Sequence, residues 1–192
     1  MARDNFLQRK KDILKKSDKS SIGGWDKKIS HLCNKINKSK YFYTTSSCSG
    51  RIILMVEQEK KGEGLFLRVW HDKINFEELK ESLNEISKKI FKNKIIKFKL
   101  EQPIIHVACK DLKSASEFLE KAKHIGFKRS GILTAGKNII LELNSTEKLE
   151  FPIIKGKKVL VDNEFLKLVV KLSNEKLERG WMKIKKLEKL IK

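Results

Sequence analysis

The order of short strand patterns and amphipathic helix patterns in the middle of the chain is the feature that most constrains the fold. Apolar runs of strand length, such as residues 52–56, 65–70, 95–100 and 104–109, are separated by glycine-containing turns or by helix patterns. The order reads β-β-α-β and then β-α-β-β, which predicts an α/β (α+β) domain with helices flanking a mixed sheet. A Ser-Gly pair precedes a strand in each half, at Ser49-Gly50 and at Ser130-Gly131, and this suggests an internal duplication.

Helix patterns extend this domain at both ends. We expect a helical N-terminal arm over about residues 1–38 and a long C-terminal helix over about residues 163–190. The 192 residues contain only two prolines and no low-complexity linker. A chain of this length buries about 70% of its extended surface, which is enough for one substantial core. We therefore predict a single domain over residues 1–192.

The charge balance indicates an anionic partner. There are 44 Lys and Arg residues against 24 Asp and Glu residues, a formal net charge of +20. So large an excess costs self-repulsion and favours nucleic acid as the partner. The alternative is a generally lysine-rich composition of the kind that thermophilic proteins show.

Cysteine and histidine spacing predicts no metal site. Cys33, Cys48 and Cys109 form no CxxC pair, and no His has metal-ligand spacing with another His or with Cys. Three unpaired cysteines, no apolar signal core and no membrane-spanning run predict a soluble, cytoplasmic protein. Cys48 is a candidate nucleophile for a hydrolase, although a small buried thiol is the simpler interpretation.

The segment Tyr41 to Arg51, which reads YFYTTSSCSGR, is the strongest functional signal from the residues alone. Small polar residues with a glycine leave backbone N–H groups accessible to an anion, and Arg51 adds a cationic fork. The aromatic residues before them either stack on nucleobases or fill the core. No GxGxxG or GxxxxGK[ST] occurs, so a Rossmann-type nucleotide cradle is unsupported.

Motifs spread along the chain resemble one known family. They comprise an Asp-x-Ser motif followed by a glycine and an aspartate, the Thr-Thr-Ser-Ser-Cys-Ser-Gly-Arg segment, and a Glu…His-Val-x-Cys block. The chain is similar to the tRNA wybutosine-synthesising protein 3 family over about residues 5–190, but it has Ile22 and Gln102 where that family usually has lysine and proline. The matching residues include Asp18, Ser20, Gly23, Asp26, Asn37, residues 44–52, His71, Glu101, His106, Cys109, Gly126, Ser130, Gly131, Pro152 and Asn174.

The resemblance implies an S-adenosylmethionine-dependent tRNA 7-aminocarboxypropyl-demethylwyosine N4-methyltransferase. Such an enzyme methylates a ring nitrogen of the tricyclic wyosine-type guanosine derivative 3′ of the anticodon in tRNA-Phe. It also implies a fold outside the Rossmann methyltransferases, which agrees with the missing glycine fingerprint. The alternative is a non-catalytic tRNA-binding module of the same pathway. The oligomeric state stays open, with a monomer slightly favoured.

The resemblance also implies roles for individual residues. Asp26 and His71 are the catalytic candidates, because a carboxylate or an imidazole helps a nitrogen nucleophile to lose its proton; a helix cap and a strand-end hydrogen bond are their structural alternatives. A central loop that holds the cofactor is expected from Ser46, Ser47, Ser49, Gly50 and Arg51, with Ser130 and Gly131 as an opposite wall. The candidates for binding substrate are Asp18, Ser20, Tyr43, Glu101 and His106.

Overall fold

The computed structural model describes residues 5–15, 26–58, 62, 64–89 and 94–191. Within these residues there are five helices and nine strands. The helices are α1 (Asn5–Leu14), α2 (Ser30–Lys38), α3 (Phe76–Lys88), α4 (Leu112–His124) and α5 (Asn163–Leu190). The strands are β1 (Phe42–Cys48), β2 (Arg51–Val56), β3 (Phe66–Trp70), β4 (Ile95–Glu101), β5 (Ile104–Cys109), β6 (Gly131–Ala135), β7 (Ile139–Asn144), β8 (Leu149–Lys155) and β9 (Lys158–Val159).

The strands form two antiparallel sheets, of order β1-β5-β7-β6 and β3-β2-β4-β8-β9. The α+β class is confirmed, but the single mixed sheet is wrong, because every described strand pair is antiparallel. Only Ser49 and Gly50 separate β1 from β2, yet these strands enter different sheets. Gly50 has a φ of 101°, a conformation that side chains disfavour, and it redirects the chain there.

The chain divides into two compact units. The first unit contains residues 1–49, 103–146 and 180–192, and the second contains residues 50–102 and 147–179. Each sheet belongs to one unit. A single domain over residues 1–192 stays a prediction. Among the described strands β2 is an inner strand and β6 an edge strand, so the two Ser-Gly pairs are not equivalent.

The four-stranded sheet of the first unit carries a large core on one face. Because side chains alternate along a strand, Ile105 and Val107 of β5 point to this core while His106 and Ala108 point to the other face. Phe127, which follows α4, and residues of α2, α4, β7 and the end of α5 complete the core; the latter include Leu32, Ile36, Phe118, Leu141 and Leu187. On the opposite face α1 covers one end, where Phe6 packs with Tyr43 and Ala108.

A bulge in β1 sets which side chains reach each face. Thr44 pairs with Val107 and Ser46 pairs with His106, so Thr45 is an additional residue with no partner in the register. Residues after the bulge therefore face the opposite way from what simple alternation would give. Ser46 shares the His106 face, whereas Ser47, the partner of Ile105, shares the core face.

Gly180 in α5 allows a close approach to Pro103. A Cβ atom added at Gly180 would lie 2.8 Å from Pro103 Cγ, and the proline ring is rigid. We expect Gly180→Ala to lower the free energy of unfolding by about 1–2 kcal/mol, because the overpacking cost exceeds the helix propensity gained by removing glycine. Urea denaturation measures the difference. Increased stability of Gly180→Ala would contradict the packing argument.

The second unit follows its sequence pattern closely. Along β4 Ile96, Phe98 and Leu100 are buried between partly exposed Lys97 and Lys99, as in a half-exposed strand. Asn75 caps α3 through a capping box with Glu78. The side chain of Asn174 in α5 accepts a hydrogen bond from the backbone N–H of Ile74 and donates one to the backbone carbonyl of Ile74.

Of the helices described in the two units, none is long and apolar enough to cross a membrane.

Candidate functional site

The predicted central loop is mostly strand. Ser46 and Ser47 are residues of β1 and Arg51 begins β2, so only Ser49 and Gly50 lie between the strands. The expected loop is therefore wrong at Ser46 and Ser47, because both residues belong to a strand that pairs with β5. The sequence does not show that these serines belong to a strand, since hydroxyl residues at a strand end resemble a polar loop.

Asp26 fixes the end of this segment. Its Oδ2 accepts a hydrogen bond from the backbone N–H of buried Ser49 at 2.8 Å, and its Oδ1 accepts one from the N–H of Lys28 at 3.2 Å. The carboxylate thus links the approach to α2 with the end of β1. This arrangement fits the structural alternative for Asp26 and accounts for the carboxylate without proton transfer.

Two buried hydroxyl groups lie in the same segment. Among the described residues, Ser47 Oγ and Ser49 Oγ have no hydrogen-bond partner. A buried hydroxyl without a partner costs free energy, so such a group marks a place where a ligand contributes a bond. Ser47 and Ser49 remain candidates for holding a cofactor.

The three aromatic residues at the start of the segment have different environments. Tyr43 is 4% exposed and its ring packs 5.2 Å from that of Phe6, so it fills the core and is not an open platform for a base. Burial raises the pKa of Tyr43, and the Arg9 charge offsets this in part. Phe42 stacks on Phe118. Tyr41 is 42% exposed and is the one member of the trio that presents a ring to solvent.

A chain of hydrogen bonds crosses the four-stranded sheet on the face opposite the large core. Ser46 Oγ lies 2.6 Å from His106 Nδ1, and His106 Nε2 lies 2.8 Å from Glu142 Oε2. Asn144 Nδ2 donates to the second carboxylate oxygen of Glu142 at 2.6 Å. These residues lie on neighbouring strands β1, β5 and β7, and the register places Ser46 beside His106 and His106 beside Glu142.

Sequence reasoning selected Ser46 and His106 but missed Glu142 and Asn144. The only available signal was the alternation of β7, which turns both side chains away from Leu141 and Leu143. The sequence could not give the pairing of β7 with β5, so nothing connected Glu142 to His106.

Ser130 and Gly131 both take part in the fold of the four-stranded sheet. Ser130 Oγ donates to the carbonyl of Phe127 at 2.6 Å and accepts from the N–H of Asn144 at 2.9 Å. Gly131 is the first residue of β6. These bonds join the end of the α4 connection to β7, and they account for Ser130 without a ligand. Its role as a wall of the cofactor site stays a prediction.

In the second unit Arg51 and Glu101 form an ion pair between β2 and β4. Arg51 Nε donates to Glu101 Oε2 at 2.7 Å, and its guanidinium carbon lies 5.0 Å from the Phe66 ring centroid. Among the described residues the two terminal nitrogens of Arg51 have no hydrogen-bond acceptor. Lys99 Nζ lies 2.9 Å from the other oxygen of Glu101. The guanidinium is thus oriented while its terminal N–H groups can meet an anion.

The neighbours of Glu101 control its ionisation. Burial alone would raise the pKa of Glu101, but hydrogen bonds from Lys99 and Arg51 and their charges outweigh burial and hold that pKa below its usual value. Glu101 is therefore an ionised partner of two cations, which favours a role in positioning Arg51 over the predicted contact with substrate.

The remaining predicted residues lie at the ends of strands or outside the described structure. His71 directly follows β3 and is half-buried in the second unit. Asp18 and Ser20 lie outside the described residues. Cys48 ends β1, half-buried, whereas burial raises the pKa of the Cys109 thiol to about 12, with a smaller effect of the Asp111 charge. The roles of His71, Asp18 and Ser20 stay predictions.

Comparison with known proteins identifies the family. The model of the family described as Methyltransferase TYW3 matches residues 8–192. The chain belongs to the Methyltransferase TYW3 family. The resemblance inferred from the motifs is thereby confirmed, and the departures at Ile22 and Gln102 do not remove the chain from the family.

Individual members of the TYW3 family agree over nearly the whole length. A tRNA(Phe) 7-((3-amino-3-carboxypropyl)-4-demethylwyosine(37)-N(4))-methyltransferase from Methanocaldococcus jannaschii is 37% identical over 180 residues, which cover 91% of each chain. The protein of the same name from Thermococcus sibiricus is 35% identical over 188 residues, 96% of this chain and 93% of that one. The solved structure of the PH1069 protein from Pyrococcus horikoshii has a TM-score of 0.84 at 30% identity, covering 97% of this chain and 93% of that one.

Proposed function

We propose that this chain methylates N4 of 7-(3-amino-3-carboxypropyl)-4-demethylwyosine at position 37 of tRNA(Phe). The observation that carries the proposal is the match to enzymes of that name over nine-tenths of both chains, at 37% identity to the Methanocaldococcus jannaschii relative. The family match over residues 8–192 supports methyl transfer as the reaction. A non-catalytic tRNA-binding module is the weaker alternative, because it leaves the buried serine hydroxyls and the oriented guanidinium without a use.

S-adenosylmethionine supplies an electrophilic methyl group on a sulfonium when it is bound. The residues present fit such a molecule. In the first unit, the unpartnered hydroxyls of Ser47 and Ser49 suit its ribose or carboxylate oxygens. In the second unit, the terminal nitrogens of Arg51 are a separate candidate for the cofactor, because a guanidinium binds a carboxylate through two parallel hydrogen bonds. Within the first unit Asp26 orients Ser49, and within the second unit Glu101 orients Arg51.

The tRNA partner accounts for the net charge of +20. A hollow of about 440 Å³ in the first unit is lined by exposed Tyr41 and by Lys113 and Lys121 of α4, together with Phe42, Asp111, Ser114, Glu117 and Phe118. An exposed aromatic ring beside lysines suits an unstacked base and its flanking phosphates. We assign this hollow to the anticodon arm of the tRNA, and the protein to the cytoplasm with that substrate.

Methyl transfer is tested with tRNA(Phe) that carries the 4-demethyl nucleoside. Incubation with S-adenosylmethionine, nuclease digestion and mass spectrometry should show that this nucleoside gains one methyl group. Wild-type protein that leaves the nucleoside mass unchanged would overturn the proposal. Calorimetry distinguishes the methyltransferase from the non-catalytic alternative, because a pure tRNA-binding module releases no heat on addition of S-adenosylmethionine.

The tRNA surface is tested by removing two cations. We expect Lys113→Ala combined with Lys121→Ala to weaken tRNA binding and to reduce the slope of log affinity against log salt by about 2, or about 1 per lost phosphate contact. The matched control combines Lys157→Ala, in the turn after β8, with Lys158→Ala at the start of β9, because both lysines are exposed. Fluorescence anisotropy at several salt concentrations measures both. Equal losses in the two double variants would show that tRNA does not use this hollow.

A further inference from the structure

We infer that Ser46, His106 and Glu142 form a proton relay that accepts the proton lost by the substrate nitrogen during methyl transfer. The inference rests on the proposed function and assigns residues to its proton-transfer step. It replaces Asp26, whose carboxylate already accepts two backbone N–H groups.

The register of the sheet builds the relay. Ser46, His106 and Glu142 are direct partners on three neighbouring strands, so their side chains lie in a row on one face. The two successive contacts measure 2.6 Å and 2.8 Å, both within hydrogen-bond reach. A row that depends on three strands and one bulge is held more rigidly than groups on a loop.

The direction of the row follows from the chemistry of its members. An ionised carboxylate only accepts hydrogen bonds, so His106 Nε2 carries the proton that Glu142 Oε2 accepts. His106 Nδ1 then accepts the hydroxyl proton of Ser46, and the oxygen of Ser46 keeps lone pairs for a further donor. Asn144 Nδ2 donates to the other carboxylate oxygen and fixes the orientation of Glu142. The outer acceptor of the row is Ser46 Oγ.

The solvent exposure of the three side chains also indicates that the proton enters the relay at Ser46. Ser46 is exposed to solvent, whereas the side chains of His106 and Glu142 are only 23% and 28% exposed. A proton from a bound nucleoside therefore meets Ser46 first. Ser46 also belongs to the signature segment, in which Ser49, beyond the end of β1, is a candidate for holding the cofactor.

The step balances in atoms and charge. The lone pair of the substrate nitrogen forms the bond to the methyl carbon, and the electron pair of the broken carbon–sulfur bond stays on sulfur. The proton of that nitrogen passes to Ser46 Oγ while the hydroxyl proton of Ser46 passes to His106 Nδ1. The resulting imidazolium lies against the Glu142 carboxylate, which stabilises its charge. Water removes the proton in the following step.

Other charged groups on this face are engaged elsewhere. Arg9 of α1 donates to the carbonyl of Lys137 at 3.3 Å, and Lys10 donates to the carbonyls of Ser39 and Phe42. Tyr43 of β1 lies at the end that α1 covers, buried and with a raised pKa. Among the described residues, Glu142 is the charged group in hydrogen-bond contact with His106.

The experiment compares His106→Gln and Glu142→Gln with His124→Gln and Glu120→Gln. The control pair consists of an exposed histidine and glutamate on α4 whose side chains approach to 3.9 Å. Under single-turnover conditions, with the 4-demethyl tRNA and saturating S-adenosylmethionine, we expect His106→Gln to slow transfer by about 10²–10⁴-fold. Neither control should change by more than about twofold, which is within ordinary surface effects.

Glu142 is a positioning residue, so its variant has a separate signature. Glu142→Gln keeps a hydrogen-bond acceptor for His106 Nε2 but removes the charge that stabilises the imidazolium. The single-turnover rate of methyl transfer should therefore fall by about tenfold or more, while the affinities for tRNA and S-adenosylmethionine stay within about twofold. Glu142→Asp, which keeps the charge, should recover part of the lost rate.

The outcomes separate the two proposals. Wild-type transfer with an equally fast His106→Gln variant, or with an equally fast Glu142→Gln variant, overturns the relay and leaves the proposed function standing. Absence of transfer by the wild type overturns both. Affinities for tRNA and for S-adenosylmethionine, measured by anisotropy and calorimetry, should stay within about twofold in His106→Gln; a fall that accounts for the slower transfer would assign His106 to binding and overturn the relay.

Discussion

Replacing Asp26 by alanine is expected to lower the free energy of unfolding by about 2 kcal/mol and to slow methyl transfer by about 10²-fold. The Ser49 N–H is buried and Asp26 is its acceptor, so the variant leaves a buried donor without its charged partner. The segment that carries Ser47 and Ser49 then loses its fixed position. Urea denaturation and single-turnover transfer measure the two effects.

Asp162→Ala is the matched control for Asp26→Ala. Asp162 Oδ1 accepts the N–H of Phe165 at 2.8 Å at the start of α5, so this variant also removes a carboxylate from a backbone donor. A cost of about 1 kcal/mol with unchanged methyl transfer is expected, since the site is exposed. If Asp26→Ala slowed transfer without loss of stability, the carboxylate would take part in the chemistry, as the sequence originally suggested.

Replacing Arg51 by methionine is expected to weaken S-adenosylmethionine binding by about 10- to 100-fold, the value of one charge-assisted hydrogen bond. The reason is the loss of terminal nitrogens that have no acceptor among the described residues. The half-buried pair with Glu101 predicts an additional stability cost of about 1 kcal/mol at neutral pH.

Arg68→Met is the control for Arg51, because Arg68 is a neighbouring guanidinium paired with exposed Glu85 on the same unit. Calorimetry should show unchanged cofactor affinity in Arg68→Met. Equal losses of affinity in the two arginine variants would assign the effect to general charge and not to Arg51.

The stability cost of Arg51→Met should depend on pH in one direction. Because the folded-state pKa of Glu101 is lowered, its contribution is present above the unfolded value of about 4.3 and is lost as the pH falls through the folded pKa. Arg51→Met moves that pKa back towards its ordinary value. The difference in unfolding free energy between wild type and variant should therefore be constant from about pH 6 to pH 8 and should shrink below about pH 4. A difference that grew towards low pH would contradict the role of the ion pair.

Local patterns predicted much of this molecule. Apolar runs of strand length gave β4 and β5, and the signature motifs gave the family. Pairing between distant strands was not predictable, because β1 pairs with β5 across about sixty residues of sequence. Consequently the sequence does not reveal the partner of His106, and the strand residues Ser46 and Ser47 resemble a loop. The burial of Tyr43 is not predictable for a similar reason, since it depends on α1.

The additional residue Thr45 makes the orientation of the serines depend on the bulge in β1. Deleting Thr45 would remove the bulge and leave Ser46 beside His106, whereas a regular strand that paired Thr45 with His106 would turn Ser46 toward the apolar core and Ser47 outward. A relative without the bulge therefore keeps the whole Ser-Ser-Cys-Ser motif and still presents a different hydroxyl to its substrate. For this family, the presence of the bulge is as informative as the motif itself, because an alignment without a gap would then pair serines that face opposite sides of the sheet.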